Sequence, residues 1–298
     1  VDIIVVGGGY SGVELALNLV DRFGGADDVH VTLVHRGKRI LEYATEHNRN
    51  AGTDRMKAAG VKVMTSTSVE EVLSCEGSQD EAVMSALEKL KCKLEVSTKP
   101  IGGTEEADAT TTILPATLLL WTAGATPTSD RNAGIRNSLL PRDAMGRVLT
   151  SPTLNIREYP NVFAVGDCGR PKKVCYPGTA QVAIQQATVA AWNVYATLTR
   201  ADNAAYGESK LLPFKFLNLG EMMTLGSDDA TISTLGGAVE LSGPAASWLR
   251  RWIYAVRMPT ARQGIRAAAD GTSRKLARSS AGSGGSSRRR KSKPVDWR

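Results

Sequence analysis

The sequence predicts an α/β fold built on a parallel sheet, followed by a second domain and an amphipathic helical region near the C-terminus. The first observation is an apolar run, a glycine-rich turn, an amphipathic segment and a second apolar run within residues 1–35. The second is a pair of further apolar runs at 113–121 and 161–165. The third is an apolar stripe at helical spacing over 245–258. Two strands joined by one helix run parallel, which indicates the α/β class.

The first 35 residues predict one strand–helix–strand unit. Residues 2–6 (DIIVV) form a continuous apolar run, typical of a strand buried on both faces of a parallel sheet. A helix is predicted from Ser11, because apolar side chains then recur with helical spacing. They are Val13, Ala16, Leu17 and Val20. Gly24 and Gly25 close this helix, and residues 29–35 (VHVTLVH) predict the second strand.

The remainder of the first 127 residues adds a helix, an inserted β segment and a strand. Residues 45–59 predict a helix that ends at Gly60 before the strand-like VKVMT. Residues 74–112 are polar and alternate weakly, which favours an inserted hairpin or meander. Residues 113–121 (ILPATLLLW) predict another buried strand. A polar link near Pro127 then marks a domain boundary.

Beyond that boundary the sequence predicts one strand, two helices and a disordered tail. Residues 161–165 (NVFAV) predict a buried strand, and 179–197 an alanine-rich helix. The helix over 245–258 ends at Pro259. Its apolar stripe consists of Trp248, Leu249, Trp252, Ile253 and Val256, with Arg250, Arg251 and Arg257 off the stripe. Residues 271–298 have low complexity and no apolar periodicity, so we expect disorder there.

Composition excludes several classes of protein. The 298 residues are 42% apolar and 22% charged, as in globular proteins, and no apolar run approaches the roughly 20 residues that span a bilayer. Residues 271–298 contain nine Lys or Arg and one Asp, so the net charge of +7 describes this tail and not the body. Four cysteines at 75, 92, 168 and 175 fit no disulfide framework and no metal-binding spacing. We expect free thiols in a reducing compartment and no metal site.

A glycine motif follows the first strand. Gly7-x-Gly9-x-x-Gly12 lies between a predicted strand and a predicted helix, the context that makes this pattern informative. The first glycine permits a tight turn, the second lets a pyrophosphate approach the backbone, and the third lets helix and strand pack closely. The helix N-terminus adds free N–H groups and partial positive charge. We therefore expect a dinucleotide here; an unliganded glycine-rich turn is the alternative.

The end of the second strand bears on which dinucleotide binds. A carboxylate at this position commonly accepts from the ribose 2′-hydroxyl of NAD. This chain has His35 there, followed by Arg36, Lys38 and Arg39. These cations could pair with the 2′-phosphate of NADPH, or they could form a solvated loop. The residues alone leave the nicotinamide preference open between these two interpretations.

Five segments together resemble a known family. They are GGGYSGVELA at 7–16, LLLWTAGATP at 118–127, NVFAVGD at 161–167, TAQVAIQQA at 179–187 and LPFKFLNLGEMMTLG at 212–226. In this order they resemble the type II NAD(P)H:quinone oxidoreductases, most closely the plastid and cyanobacterial branch. The resemblance implies a Rossmann-like flavoprotein fold with two dinucleotide-binding domains. The family has an N-terminal flavin half, an inserted NAD(P)H domain, the returning flavin half and a membrane-surface region.

The sequence departs from this order because it begins at the NAD(P)H domain. We expect the fold to be incomplete at the N-terminus, which interprets the chain as a fragment and weakens FAD binding by this chain alone. The expected domains are 1–127 for NAD(P)H, 128–200 for the returning part of the flavin domain and 201–270 for the quinone and membrane-surface region. The disordered basic tail, 271–298, completes the chain.

The resemblance also implies roles for individual residues. Gly7, Gly9 and Gly12 hold the NAD(P)H pyrophosphate, and Gly124 lets the nicotinamide nucleotide lie against the backbone. Glu14 matches an acidic residue near the nicotinamide, with a favourable helix-dipole carboxylate as the alternative.

Further implied roles concern the flavin and the quinone. Asp167 matches the residue that accepts from the flavin's ribityl chain, with a helix N-cap as the alternative. Gln181 and Gln185 share one helical face, beside the small Ala180, where uncharged amides suit a quinone carbonyl.

The expected activity is therefore transfer of hydride from NAD(P)H to FAD and of electrons to a quinone. Residues 245–266 would lie on a membrane surface, and a homodimer is compatible with the family. The resemblance implies a peripheral membrane location in the chloroplast, with the mitochondrial inner membrane as the alternative. A second hypothesis is an NAD(P)-binding module without turnover. A third is association with nucleic acid through the basic tail, which lacks interleaved aromatics; we expect no specific nucleic-acid partner.

Overall fold

The computed structural model describes residues 1–23, 29–74, 94–101, 112–124, 140–202, 211–258 and 260–266. Contacts divide the chain into two units. The first unit combines Val1–Ala123 with Gly220–Arg298, and the second comprises Gly124–Leu219. Gly220 lies within the expected region 201–270, and Met223 and Leu225 of that region share one buried core with Val13 and Met56 of the first unit.

A four-stranded parallel sheet forms the centre of the first unit. Its strands are β1 (Asp2–Val6), β2 (His30–Val34), β3 (Lys62–Met64) and β7 (Leu118–Trp121), in the order β3-β2-β1-β7. β1 pairs with β2 on one side and with β7 on the other, so the chain reverses its order beside β1. In α/β sheets, ligands bind at such a switch point, outside the carboxyl ends of the strands.

Two helices flank this sheet. α1 (Tyr10–Phe23) begins directly after Gly9, within the glycine motif, and α2 (Glu46–Ala58) has Thr45 as its N-cap. Both confirm the predicted helices. Side chains of β1, β2, α1 and α2 form one buried core with two residues of the C-terminal segment, Met223 and Leu225. The core therefore ties distant parts of the chain together.

The inserted β segment is an antiparallel three-stranded meander. It consists of β4 (Thr67–Ser74), β5 (Leu94–Pro100) and β6 (Thr112–Ala116), in sequence order. It starts earlier than the predicted position of 74, and residues 75–93 and 102–111 lie outside the described residues. The single strand predicted over 113–121 is wrong: β6 and β7 belong to different sheets and are separated by Thr117. The Thr117 N–H donates to the Asp2 carbonyl at 2.8 Å, which turns the chain from one sheet into the other.

The C-terminal part of the first unit is a second antiparallel sheet and a helix. The strands are β10 (Glu221–Thr224), β11 (Ala230–Thr234) and β12 (Val239–Ser242). The amphipathic helix α4 (Pro244–Val256) follows them, and residues 261–266 are again helical. No helix in the described part of the chain is both long and apolar enough to cross a bilayer. Pro259, expected to end the predicted helix, lies outside the described residues, and α4 ends at Val256.

The second unit contains a short parallel pair and a long helix. β8 (Val148–Thr150) pairs with β9 (Gly169–Pro171), and a 3-10 turn (Gly166–Cys168) precedes β9. α3 (Ala180–Asp202) extends beyond the predicted end at 197. The buried strand predicted over 161–165 is wrong, because Phe163 forms only an isolated bridge with Asn155. Among the described residues of this unit, this single antiparallel bridge is the only strand pairing of the segment.

The sequence-predicted α/β fold with its parallel sheet is confirmed by this architecture. Three further predicted features lie outside the described residues: the Gly24–Gly25 helix end, the boundary at Pro127 and the tail 271–298.

Candidate functional site

The glycine motif forms a tight turn at the carboxyl end of β1. Gly7 adopts a positive φ of 115°, which an L side chain disfavours, and its N–H donates to the Val34 carbonyl at 2.8 Å. A Cβ on Gly12 would lie 1.8 Å from the Gly7 carbonyl oxygen, so helix and turn touch directly. A Cβ on Gly9 would meet nothing within 4 Å. The turn is therefore closed on its inner side at Gly12 and open at Gly9, beside the N-terminus of α1.

Thr122, at the end of β7, holds this turn in place. Its hydroxyl donates to the Val6 carbonyl at 2.8 Å and approaches the Gly7 carbonyl at 3.3 Å. Its N–H also donates to Val6. The sequence interpretation missed Thr122, although its place after a predicted strand was a usable signal. Gly124, two residues after Thr122, has a φ of 80°, and a Cβ at this position would meet nothing within 4 Å.

His35 lies where β2 ends, against the glycine turn. The Gly8 N–H donates to Nδ1 of His35 at 3.1 Å, so this nitrogen carries no proton. Burial lowers the pKa of His35, which keeps the ring neutral near pH 7. Arg36 is exposed beside it, as are Lys38 and Arg39. The four residues predicted to surround the ribose are thus one half-buried neutral ring and three exposed cations.

Glu14 contacts the C-terminal segment of the same unit. Its Oε1 accepts from the Thr224 N–H at 2.7 Å and lies 3.7 Å from a guanidinium nitrogen of Arg250. Glu14 stands outside the first turn of α1, which contains no acidic residue. The helix-dipole alternative is therefore wrong, because the dipole effect falls off within that turn. Glu14 instead joins α1 to β10 and α4.

A second carboxylate contact, missed by the sequence interpretation, lies at the start of α1. The Tyr10 hydroxyl donates to Oε2 of Glu221 at 2.6 Å, and the Thr45 N–H donates to the same oxygen at 3.0 Å. Asn48 is fully buried next to them and accepts from the Thr231 hydroxyl at 2.9 Å. Asp21 makes a third contact of this kind, accepting from the Ser227 N–H at 2.6 Å. Carboxylates on both sides of this contact, Glu14 and Asp21 on α1 and Glu221 on β10, thus bind the C-terminal segment to the part of the unit that contains the glycine turn.

In the second unit, Asp167 lines a cavity of about 700 Å³. The cavity wall also includes Gly166, Cys168, Gly178 and Gln186. Asp167 lies within the 3-10 turn, whereas α3 begins at Ala180 and Thr179 accepts from the Val182 N–H at 3.4 Å as its cap. The N-cap alternative for Asp167 is therefore wrong. Its exposed carboxylate remains available to a ligand in the cavity.

Gln186 positions this turn. Its side chain is 2% exposed, and its Oε1 accepts from the Gly166 N–H at 2.6 Å. The sequence interpretation chose Gln181 and Gln185 and missed this third glutamine. Gln186 lies four residues after Val182, on the apolar face of the helix, and a buried amide there needs a partner. That placement was the signal available in the sequence.

Gln181 and Gln185 are both bonded to the chain segment before β10. The Gln185 amide donates to the Leu217 carbonyl at 2.9 Å and accepts from the Leu217 N–H at 3.0 Å. Gln181 accepts from the Leu219 N–H at 2.9 Å. Ala180 is exposed at the start of the helix. The two glutamines share one helical face, as expected. This face binds the backbone at Leu217 and Leu219.

The described residues contain no cluster of three or more His, Cys, Asp or Glu that could hold a metal ion. Cys168 and Cys175 are free and exposed thiols. Cys75 and Cys92 lie outside the described residues.

Two relatives are similar to the chain over most of its length. Demethylphylloquinone reductase NdbB of Synechocystis is 35% identical over 261 residues, which cover 87% of this chain and 54% of that protein. Alternative NAD(P)H-ubiquinone oxidoreductase C1, chloroplastic/mitochondrial, of Arabidopsis thaliana is 32% identical over 265 residues, covering 87% and 46%. The chain therefore spans about half the length of these relatives.

A solved structure and a family model add to this comparison. NDH2 from Plasmodium falciparum in complex with NADH aligns with a TM-score of 0.66 at 14% identity, over 92% of this chain and 65% of that one, and shares the fold. The Synechocystis and Arabidopsis relatives confirm the resemblance to the type II NAD(P)H:quinone oxidoreductases. The family model of the pyridine nucleotide-disulphide oxidoreductases matches residues 1–187, more than half of the sequence. The chain belongs to the pyridine nucleotide-disulphide oxidoreductase family.

Proposed function

We propose that this chain provides the NAD(P)H-binding part of a FAD-dependent NAD(P)H:quinone oxidoreductase. When bound, the nicotinamide and the flavin supply hydride and two-electron chemistry that ends at a membrane quinone. The named activities of the Synechocystis and Arabidopsis relatives support this function. The residues of the chain bind, orient and shield these groups.

The observation that carries the proposal is the contrast between Gly9 and Gly12. Space lies open above Gly9, whereas the position of a Cβ on Gly12 is filled by the Gly7 carbonyl. A pyrophosphate can therefore approach the turn at Gly9 and meet the free N–H groups at the start of α1. Thr122 keeps the turn closed from behind. These residues fit a dinucleotide, with the nicotinamide nucleotide lying along Gly124.

NADPH is proposed to bind at least as well as NADH. His35 replaces the carboxylate that would repel a 2′-phosphate, and its neutral ring already accepts from Gly8. Arg36 is exposed next to it, where it can pair with that phosphate. Glu14 would act near the nicotinamide while fixed by Thr224.

The proposed flavin and quinone sites lie in the second unit. Asp167 is proposed to accept from the flavin's ribityl chain, which fits its exposed carboxylate in the wall of a cavity. Gln186 would hold the turn that presents it. The quinone would bind beside Gln181, Gln185 and Ala180. Gln185 would act there by holding the Leu217 backbone in position.

The face of α4 that carries Trp248, Trp252 and Val256 is proposed to lie on a membrane. These side chains are 57%, 48% and 75% exposed, although Leu249 packs against the protein. Arg257, Arg262 and Arg266 follow these residues in the sequence, are exposed, and would attract anionic lipid. Arg250 and Arg251, by contrast, pair with Glu14 and Asp228 and do not face lipid freely. We propose a peripheral location on a chloroplast membrane, or on the mitochondrial inner membrane.

An NAD(P)-binding module without turnover is the second candidate, favoured by the glycine turn at Gly7, Gly9 and Gly12, which requires no residue of the second unit. If the purified chain shows flavin absorbance at about 450 nm, the FAD-dependent oxidoreductase is supported. NADPH binding without flavin would support the module.

The test of dinucleotide binding compares Gly9→Ala with Gly12→Ala. We expect Gly9→Ala to fold with wild-type stability and to weaken NADPH binding by about tenfold or more, because the methyl group occupies the approach of the pyrophosphate. Gly12→Ala should instead lower the unfolding temperature, because its Cβ overlaps the Gly7 carbonyl. Isothermal titration and thermal unfolding measure the two effects. Unchanged NADPH affinity in folded Gly9→Ala would overturn the proposal.

A further inference from the structure

The second unit contains another cavity, of about 410 Å³, that no step of the proposed reaction uses. It is lined by β8, by the loop after β9 and by Phe214. It shares only Pro171 and Tyr176 with the larger cavity that contains Asp167. Cavities of this volume accommodate small organic molecules.

The wall of this smaller cavity is mainly apolar. Leu149, Val174 and Phe214 contribute to it, together with three prolines. The ring of Tyr176 meets Phe214 edge to face, with centroids 5.1 Å apart, and closes one side. A ligand with an apolar body would bury surface here.

The rim of the cavity is cationic. Arg157, Lys172 and Lys173 lie on it with one acidic residue, Glu158. All four side chains are exposed, and the described part of the chain shows no ion pair for any of the three cations. The rim therefore has an excess positive charge that a ligand can neutralise.

Thr150 adds an unused hydrogen-bonding group to the wall. The residue is 3% exposed, and its Oγ1 has no hydrogen-bond partner among the described residues. The Thr150 carbonyl, by contrast, accepts from the Lys172 N–H at 3.0 Å. A buried hydroxyl without a partner is costly, and rotation about χ1 exchanges the hydroxyl and the methyl group. Such a rotation can turn the hydroxyl toward an oxygen atom of a ligand.

We propose that this cavity binds a small organic anion with an apolar body, such as an aromatic carboxylate. Its charged group meets Arg157, Lys172 and Lys173, and its body packs against Leu149 and Phe214. Thr150 donates to one of its oxygens. The site is independent of the dinucleotide turn, so it stands or falls separately from the proposed redox function.

The test is isothermal titration of the full chain with 2-naphthoate, with uncharged 2-naphthalenemethanol and with inorganic phosphate. We expect saturable binding of the naphthoate and at least about tenfold weaker binding of the alcohol, the change that loss of one charge-assisted contact produces. Phosphate should bind weakly because it has no apolar body. Equal binding of alcohol and naphthoate, equal binding of phosphate and naphthoate, or no saturation by naphthoate would overturn the proposal.

Variants locate the binding. The double variant Lys172→Ala/Lys173→Ala should weaken naphthoate binding by at least about fivefold. Lys215→Ala is the matched control, an exposed lysine of the same unit outside the cavity lining, and should bind like wild type. Thr150→Val should raise the unfolding temperature, since it removes an unpaired buried hydroxyl, and should weaken binding. A raised unfolding temperature with unchanged affinity would remove Thr150 from the site, and unchanged affinity in the lysine variant would overturn the site itself.

Discussion

The Tyr10 hydroxyl donates to Oε2 of Glu221 at 2.6 Å, across 211 positions of the chain. Tyr10 is the first residue of α1, directly after the glycine turn, and Glu221 is the first residue of β10. The same carboxylate oxygen accepts from the N–H of Thr45, the N-cap of α2. One carboxylate thus joins the dinucleotide turn, the second helix and the segment that carries α4.

The first prediction concerns the stability of this junction. Tyr10→Phe should lower the free energy of unfolding by about 1.5–3 kcal/mol, the usual value of a hydrogen bond to a charged group. Urea unfolding of the full chain measures the loss. Tyr43→Phe is the matched control, because Tyr43 is 93% exposed, and it should be neutral. Equal stability of the Tyr10→Phe variant and wild type would show that the bond contributes nothing net.

The second prediction is a pH dependence at the same residue. Burial, and then the hydrogen bond to Glu221, raise the pKa of Tyr10 above its usual value. The folded state therefore keeps this proton in alkali, while the unfolded state loses it from about pH 10. Because the unfolded state then binds fewer protons, stability falls as pH rises above that value. Wild type should lose more stability than Tyr10→Phe between about pH 9 and 11, and parallel losses would contradict the assignment.

The elements of the dinucleotide domain were predictable because local pattern encodes them. The apolar run of β1, the glycine spacing and the helical periodicity of α1 each lie within a dozen residues and agree with one another. Residues 113–121 show the limit. Their apolar run, interrupted by Thr117, looks like one strand, but a bend at that residue divides it between two sheets. The periodicity of a segment does not show which strand it will pair with. The division of this segment between β6 and β7 was therefore not predicted.

The residues of the candidate site also differ in whether local sequence patterns predict them. The roles of Gly9 and Gly12 follow from spacing, whereas the partners of Glu14 and Glu221 lie more than 170 residues away in sequence. No local pattern specifies such pairs. Gln186 was an intermediate case, because its position on the apolar face of α3 already required a buried partner.

The third prediction separates the hydrogen bond of Glu14 with the Thr224 N–H from its ion pair with Arg250. Glu14→Ala should lower the free energy of unfolding by about 1–2 kcal/mol, because the Thr224 N–H loses its acceptor. Glu14→Gln should restore part of this loss, since an amide oxygen still accepts from that N–H. Asp54→Ala, an exposed acidic residue of α2, is the control. Equal instability of the Ala and Gln variants would attribute the effect to charge, and therefore to Arg250.

The fourth prediction addresses nicotinamide preference. Arg36→Glu should weaken NADPH binding by at least about tenfold and NADH binding much less, because a carboxylate repels only the 2′-phosphate. Lys62→Glu makes the same charge change at the start of β3, the end of the strand opposite to the ligand site. Titration of both variants with both nucleotides decides the question. Equal losses for NADH and NADPH would show that Arg36 does not reach the 2′ position.

The fifth prediction concerns the membrane surface. Trp248 and Trp252 lie one turn apart with ring centroids at 5.9 Å, and they are 57% and 48% exposed. Replacing both by Ser should abolish sedimentation with anionic lipid vesicles and leave the unfolding free energy within about 0.5 kcal/mol, the usual range for exposed positions. Trp192→Ser removes an exposed tryptophan of α3 and should leave sedimentation unchanged. If the double variant still sedimented with the vesicles as wild type does, Trp248 and Trp252 would not be the membrane contact.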